Sequence, residues 1–134
     1  MMKKLIPVAA LILVLSGCSI TFDEPFDDRN RYTGRYDVEE YSQTTNEVFR
    51  YSIRIRKSLD FDDEVIIENF YDAGIDVFAF VDGNKIFINP QIIGDYEVEG
   101  VGTRVSGDIE IDYTVRYLDR RSNFTDFLSA TAFK

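Results

Sequence analysis

The sequence predicts an all-β fold, an antiparallel meander of about eight strands closed into a small barrel, with a two-sheet sandwich as the alternative. Three observations carry that expectation. From residue 32 onward apolar residues recur with period two, and no stretch shows the 3.6 period of a helix. Turn signals of Gly, Asn and Asp separate the alternating runs at short intervals. Short connections make a meander, and a meander keeps two open edges unless its first and last strands pair.

The chain divides into residues 1–17, 18–31 and 32–134. Lys3 and Lys4 precede an apolar run from Leu5 to Leu15, and Leu15-Ser16-Gly17-Cys18 follows. A positive start, a short apolar core and small residues before a cut site are a secretory signal. The run is shorter than the roughly 20 apolar residues of a spanning helix. With cysteine directly after the small pair, the segment resembles a bacterial lipoprotein signal. That resemblance implies that Cys18, the chain's single cysteine, becomes the lipid-modified first residue. Ser19, rather than Asp, resembles an outer-membrane address.

Residues 18–31 hold Asp23, Glu24, Asp27 and Asp28 around Pro25, which predicts an extended acidic tether. Phe22 and Phe26 are its apolar exceptions. Strands are then expected over 32–41, from about 47 to 56, 64–71, 75–81, 85–89, 95–105, 109–117 and 124–133. The second is the clearest. Phe49, Tyr51, Ile53 and Ile55 share one face, and Arg50, Ser52, Arg54 and Arg56 the other. Asp72-Ala73-Gly74, Asp82-Gly83-Asn84 and Ser106-Gly107-Asp108 mark turns. Pro90, which cannot donate to a ladder, is expected to end the fifth strand.

A turn near Thr45 sets Glu39 opposite Arg50 and Asp37 opposite Ser52, and Arg54 then faces Glu68. Acids on both neighbours thus neutralise the arginine stripe, which argues against an anion site. The same parity points Ile67, Tyr71, Ile75, Val77, Ala79, Val81, Ile86 and Ile88 inward. It leaves Ile66, Phe78, Phe80 and Phe87 outside. Apolar side chains on both faces of one stretch need a cover, so these four are the candidate patch for a partner or ligand.

The stretches Tyr32-Thr33-Gly34-Arg35-Tyr36, Ile88-Asn89-Pro90-Gln91, Gly100-Val101-Gly102-Thr103 and Ile109-Glu110-Ile111-Asp112-Tyr113 resemble small lipocalin-like β-barrel lipoproteins of Bacteroidota. Gly34-Arg35-Tyr36 also resembles the Gly-x-Trp opening of lipocalins, with Tyr36 where that motif has Trp. The resemblance implies an exported barrel and no catalytic residue.

The full chain carries −9, and removing residues 1–17 with their two lysines takes it to −11. Such a charge repels phosphate backbones, so no nucleic-acid partner is expected. With no histidine, and Cys18 the only thiol, Ser-His-Asp, Cys-His and His-metal arrangements are excluded. Asp60, Asp62, Asp63 and Glu64 read as a solvated turn rather than a calcium loop. The pairs Glu97/Glu99 and Glu110/Asp112 read as the soluble face of their strands rather than a glycosidase couple. No cofactor and no metal are expected. The chain is expected to be a non-enzymatic, lipid-anchored envelope protein that binds a partner protein or a small apolar or glycan ligand. The alternatives are an assembly accessory of an outer-membrane complex and a carboxylate hydrolase.

Overall fold

A computed structural model describes residues 26–119 and 124–134; Cys18, Phe22 and the signal segment lie outside them. Eight antiparallel strands follow one another: β1 Gly34–Ser42, β2 Glu47–Lys57, β3 Glu64–Phe70, β4 Ile75–Asp82, β5 Lys85–Ile93, β6 Tyr96–Val105, β7 Asp108–Tyr117 and β8 Thr125–Phe133. Each pairs with the next, and β1 pairs with β8, so the sheet closes into a barrel without edges. The sandwich alternative is set aside.

The expected register is present. Glu39 faces Arg50, Asp37 faces Ser52 and Arg54 faces Glu68. The stripe is answered by acids, with Arg50 3.6 Å from Glu39 and Arg56 2.7 Å from Glu68. These pairs are largely exposed, so each contributes about 0.2–1 kcal/mol and serves mainly to fix alignment. Charges on the outer positions of β1, β2 and β7 leave no continuous apolar belt of the kind a membrane-spanning barrel needs.

Two bulges depart from the expected alternation. In β5, Pro90 does not end the strand. The strand runs on to Ile93, with one extra residue between Ile88 and Gln91 relative to β6. Pro90 has no N–H, and β4–β5 backbone pairing reaches only Phe80↔Phe87. Gln91 supplies the missing bonds with its side chain. Its amide donates to the Phe78 carbonyl at 2.8 Å, and its Oε1 accepts from the Phe78 N–H at 3.0 Å. In β3 the extra residue lies between Ile67 and Phe70 against β4. Asn69 and Tyr71 both take left-handed backbone there, at φ 61° and 60°. The slip turns Phe70 inward, against the simple parity of the strand.

The core is continuous and dense. Val38, Ile53, Ile55, Val65, Ile67, Val77, Ala79, Ile86, Ile88, Val98, Ile109, Ile111, Val115 and Leu128 are all buried on the barrel axis. Each large aliphatic side chain buried in this way stabilises by about 1.5–3 kcal/mol. Gly100 and Gly102 lie where β6 is pressed closest to its neighbours, with no room for a side chain.

One end of the barrel is closed by its own N-terminal segment. Residues 28–31, expected as extended tether, form a 3-10 turn. Asp27 caps it, its Oδ1 accepting from the Arg29 N–H at 3.0 Å. Arg29 is almost fully buried. Its guanidinium donates to the Ser58, Phe61 and Glu64 carbonyls, each at 3.1 Å, and pairs with Asp27 at 2.9 Å. Tyr32 and Tyr36 stand below, buried, with Tyr32 donating to the Gly83 carbonyl at 2.7 Å and Tyr36 to the Tyr32 carbonyl at 2.8 Å. Arg29→Ala removes the guanidinium's bonds to three carbonyls and its pair with Asp27 together, although the Glu64 and Phe61 carbonyls keep the Ser58 and Glu64 N–H groups and Asp27 keeps Lys57. A loss of about 2 kcal/mol in chemical denaturation is expected. A loss within the ±0.5 kcal/mol of an ordinary surface change would show that the plug does not hold the end.

Candidate functional site

The opposite end is open. It is the end where β1, β3, β5 and β7 finish and β2, β4, β6 and β8 begin. A cup of about 400 Å³ lies there, lined by Glu40, Thr45, Phe49, Tyr71, Asp72, Ala73, Tyr96, Tyr117, Phe124 and Asp126. Backbone pairing between β2 and β3 covers only Arg54–Lys57 against Val65–Glu68. The first half of β2 therefore stands clear of β3, and the β3–β4 turn flanks the cup. Asn69 bridges the gap, its side-chain amide donating to the Ser52 carbonyl at 2.9 Å.

Inward parity at the strand ends delivers the lining. Tyr36, Val38, Glu40 and Ser42 face in along β1, and Asp126, Leu128, Ala130 and Ala132 along β8. Glu40 and Asp126 are 2% and 4% exposed, so two carboxyls sit at the floor of the cup. An ionised carboxylate in such a place needs donors. Glu40 Oε1 accepts from the Tyr51 hydroxyl at 2.7 Å and from the Tyr113 hydroxyl. Asp126 accepts from Ser42 Oγ and from the Tyr71 hydroxyl, each at 2.5 Å. The Tyr71 and Tyr117 oxygens are 2.9 Å apart. Burial pushes the Glu40 carboxyl above the usual carboxylate range, and the negative charges of Asp126 and Asp72 add to this against the opposing phenol bonds. The phenols of Tyr51, Tyr71 and Tyr113 are pushed well above the usual range for tyrosine, first by burial and then by hydrogen bonding or charge from their neighbours. They keep their protons and act as donors.

Above the floor the rings form walls. Tyr71 and Tyr96 meet at 74° with centroids 6.1 Å apart, Tyr71 and Tyr117 at 67° and 6.3 Å, and Tyr96 and Tyr117 at 69° and 5.2 Å. The three rings pack edge to face on one another as one aromatic cluster in the cup wall. Phe124 stands 5.4 Å from Tyr117 and extends it.

The sequence-predicted patch lies on the outer wall, away from the cup. Phe78 and Phe87 are 42% and 37% exposed, and Phe80 is half-buried against the Phe61 ring at 6.3 Å. Ile66 also faces outward but is only 8% exposed, lying between its ladder neighbours Arg56 and Phe78. Phe26, one of the apolar exceptions of the tether, is exposed at the closed end with Arg31 over its ring at 5.0 Å. Part of the patch is thus covered by the chain itself. Glu97 binds Arg116 at 3.0 Å, and Glu99, Glu110 and Asp112 are exposed on the outer wall. None of the four reaches the cup. Among the described residues no group of three or more His, Cys, Asp or Glu is placed to hold a metal ion.

Sequence reasoning had Tyr71 facing inward but did not single out Glu40 or Asp126. Their signal was parity, since each occupies an inward position next to a strand end. Comparison with family models, with curated proteins and with solved structures found no match to this chain.

Proposed function

We propose that this chain is an exported, lipid-anchored binding protein of the bacterial envelope, held at the outer membrane through Cys18, that takes a small molecule into the cup. One observation carries the reading. The barrel core is packed, and the hollow at the open end is walled by aromatic rings over hydrogen-bonded carboxyls, whereas the hollow of about 350 Å³ at the plugged end is lined mostly by charged side chains. Small-ligand sites are concave and largely apolar, with a few fixed polar groups, and about 300–1,000 Å³ in volume. The closed opposite end makes the cup a terminus and not a channel. Resemblance to small lipocalin-like lipoproteins of Bacteroidota supports the setting. The non-enzymatic reading is supported by the phenols, which stay protonated, and by the lack of histidine.

Anchoring is tested by labelling cells with radioactive fatty acid. Cys18→Ser is expected to remove the label and shift the protein from membrane to soluble fractions. Unchanged membrane retention would overturn the anchor. Binding is tested with Y96W, because the chain has no tryptophan and the new indole reports only from the cup. Envelope metabolite extracts are expected to shift its emission. A second reading, a partner protein on the outer wall, is favoured by the exposure of Phe78 and Phe87. F87W places the reporter there, and a response from F87W with none from Y96W would replace the first reading by the second. Phe78→Ser with Phe87→Ser is expected to cost about 1–2 kcal/mol, since only part of each ring is buried. Outright unfolding would make these residues core.

A further inference from the structure

We propose that the cup selects a small organic cation, an alkyl- or quaternary ammonium, held by the ring cluster of Tyr71, Tyr96 and Tyr117 above the carboxylates of Glu40 and Asp126. The inference rests on the cup being a ligand site and names its chemistry. Three independent features point the same way.

The first is charge. Glu40, Asp72 and Asp126 line the cup, and among the described residues no lysine or arginine does. The two buried carboxylates are held by hydroxyls alone, so their charge is solvated without being neutralised. A ligand bearing positive charge completes the site, and an anion is repelled from it.

The second is the direction of the hydroxyl hydrogens. Tyr51 and Tyr113 both donate to Glu40, and Ser42 and Tyr71 both donate to Asp126. Tyr71 has only one hydrogen, so in the 2.9 Å contact between the two phenols Tyr117 is the donor. The hydrogens run Tyr117 to Tyr71 to Asp126 and point away from an occupant. At the floor, what these hydroxyls leave for a ligand is ring faces and acceptor lone pairs, with the Tyr96 and Thr45 hydroxyls in the lining outside this chain of bonds. A ligand with N–H or polarised C–H groups is matched at the floor.

The third is the ring cluster. The three rings pack edge to face on one another, and the ring faces left toward the cup are the negative surfaces that attract ammonium groups. A sugar would use one flat stacking face and would need donors as well as acceptors.

A cation over Glu40 also favours its ionised form. Binding is therefore expected to release a proton at mildly acid pH and to tighten as pH rises. Facing Glu40 are Tyr51 on β2, Tyr113 on β7, Asp126 on β8 and Asp72 in the β3–β4 turn. Among the described residues none of those facing Glu40 carries a positive charge to offset the trend.

The test is calorimetric titration of the purified lipid-anchored protein in non-ionic detergent. The probes are choline, its uncharged isostere 3,3-dimethylbutan-1-ol, glucose and acetate. Choline is expected to bind about tenfold or more tightly than the isostere, the worth of one or two cation–ring contacts. Tyr96→Leu with Tyr117→Leu, and separately Glu40→Gln, are expected to abolish choline binding, with folding of each variant verified by cooperative denaturation. Equal binding of choline and the isostere, or choline binding that survives both variants, overturns the cation assignment. Binding of glucose or the isostere that the ring variants abolish overturns the assignment while the cup remains a ligand site. Silence from all four probes, together with a Y96W emission unmoved by envelope extract, overturns both.

Discussion

Gly100→Ala is expected to destabilise the barrel by about 3 kcal/mol or more, the upper range for overpacking and a large fraction of a small domain's total stability. A Cβ at residue 100 would lie 2.5 Å from Tyr113 Cβ and 2.7 Å from the Asp112 carbonyl oxygen. These are atoms of the partner strand's own frame, and no rotamer change moves them away. β6 and β7 would have to separate at the pair Gly100↔Tyr113, within a ladder continuous from Tyr96↔Tyr117 to Val105↔Asp108. Gly102 offers the contrast. A Cβ there would overlap Ile86 Cγ2, a side-chain atom that substitution can remove. Gly102→Ala is therefore expected to be partly rescued by Ile86→Ala, with a coupling of about 1 kcal/mol or more, whereas Gly100→Ala has no such suppressor. Urea denaturation of the four variants measures this. A Gly100→Ala cost below about 1 kcal/mol would mean that the ladder yields more easily than its geometry implies. The same displacement carries Tyr113 off Glu40, so this glycine connects barrel packing to the floor of the cup.

Most of the barrel was legible because one rule, period two, applies wherever a sheet has a wet face and a dry one. Phe49, Tyr51, Ile53 and Ile55 set the inner face of β2. From there the β1–β2 and β2–β3 registers followed through Glu39↔Arg50 and Arg54↔Glu68. The rule fails where a residue is inserted. Asn69 adopts left-handed backbone with an ordinary side chain, and nothing in the local sequence separates that from a continuing strand. Pro90 read as a terminus because its missing N–H is a local fact. The Gln91 side chain that compensates does so against Phe78, which is 13 positions away.

The site was half-legible for a related reason. Parity placed Tyr71 inside, yet an acid at an inward position contradicts the expectation that carboxylates face water. Glu40 and Asp126 become acceptable only through donors that barrel closure brings. Ser42 and Asp126 are 84 positions apart, and Tyr113 and Glu40 are 73 apart. Alternation says which way a side chain points, and closure decides what it meets there. The outer patch shows the same division. Outward direction was right for Phe80 and Ile66, but Phe61 lies over the one and ladder neighbours bury the other.

Glu40→Gln is expected to change how stability depends on pH, and the sign identifies the residue. The Glu40 carboxyl is held above its usual value of 4.5 by burial, so over an interval starting near 4.5 the folded chain keeps a proton that the unfolded chain has lost. Stability contributed by such a group is greatest at acid pH. It declines as pH rises through the interval, by at most about 1.4 kcal/mol per pH unit, and levels off once the folded carboxyl ionises. Glutamine keeps an acceptor for Tyr51 and Tyr113 and never ionises, so this decline disappears. The variant is expected to gain on the wild type as pH rises above 4.5, until the folded carboxyl ionises. Asp27 behaves oppositely and in a separate window. Its hydrogen bonds and charge contact with Arg29 hold it below its usual 3.8, so the stability it contributes is present above that value and is lost only as pH falls further. Both proteins should share that acid-side loss, since Glu40→Gln leaves the plug intact. Denaturation midpoints across the range separate the two windows. A wild-type-to-variant gap that stays constant with pH, or widens toward acid, would show that Glu40 is not the buried acid described. A barrel that stabilises itself by losing this charge keeps a glutamate there at a cost to folding, and choline restoring the wild type but not the variant at pH 8 would tie that cost to the ligand.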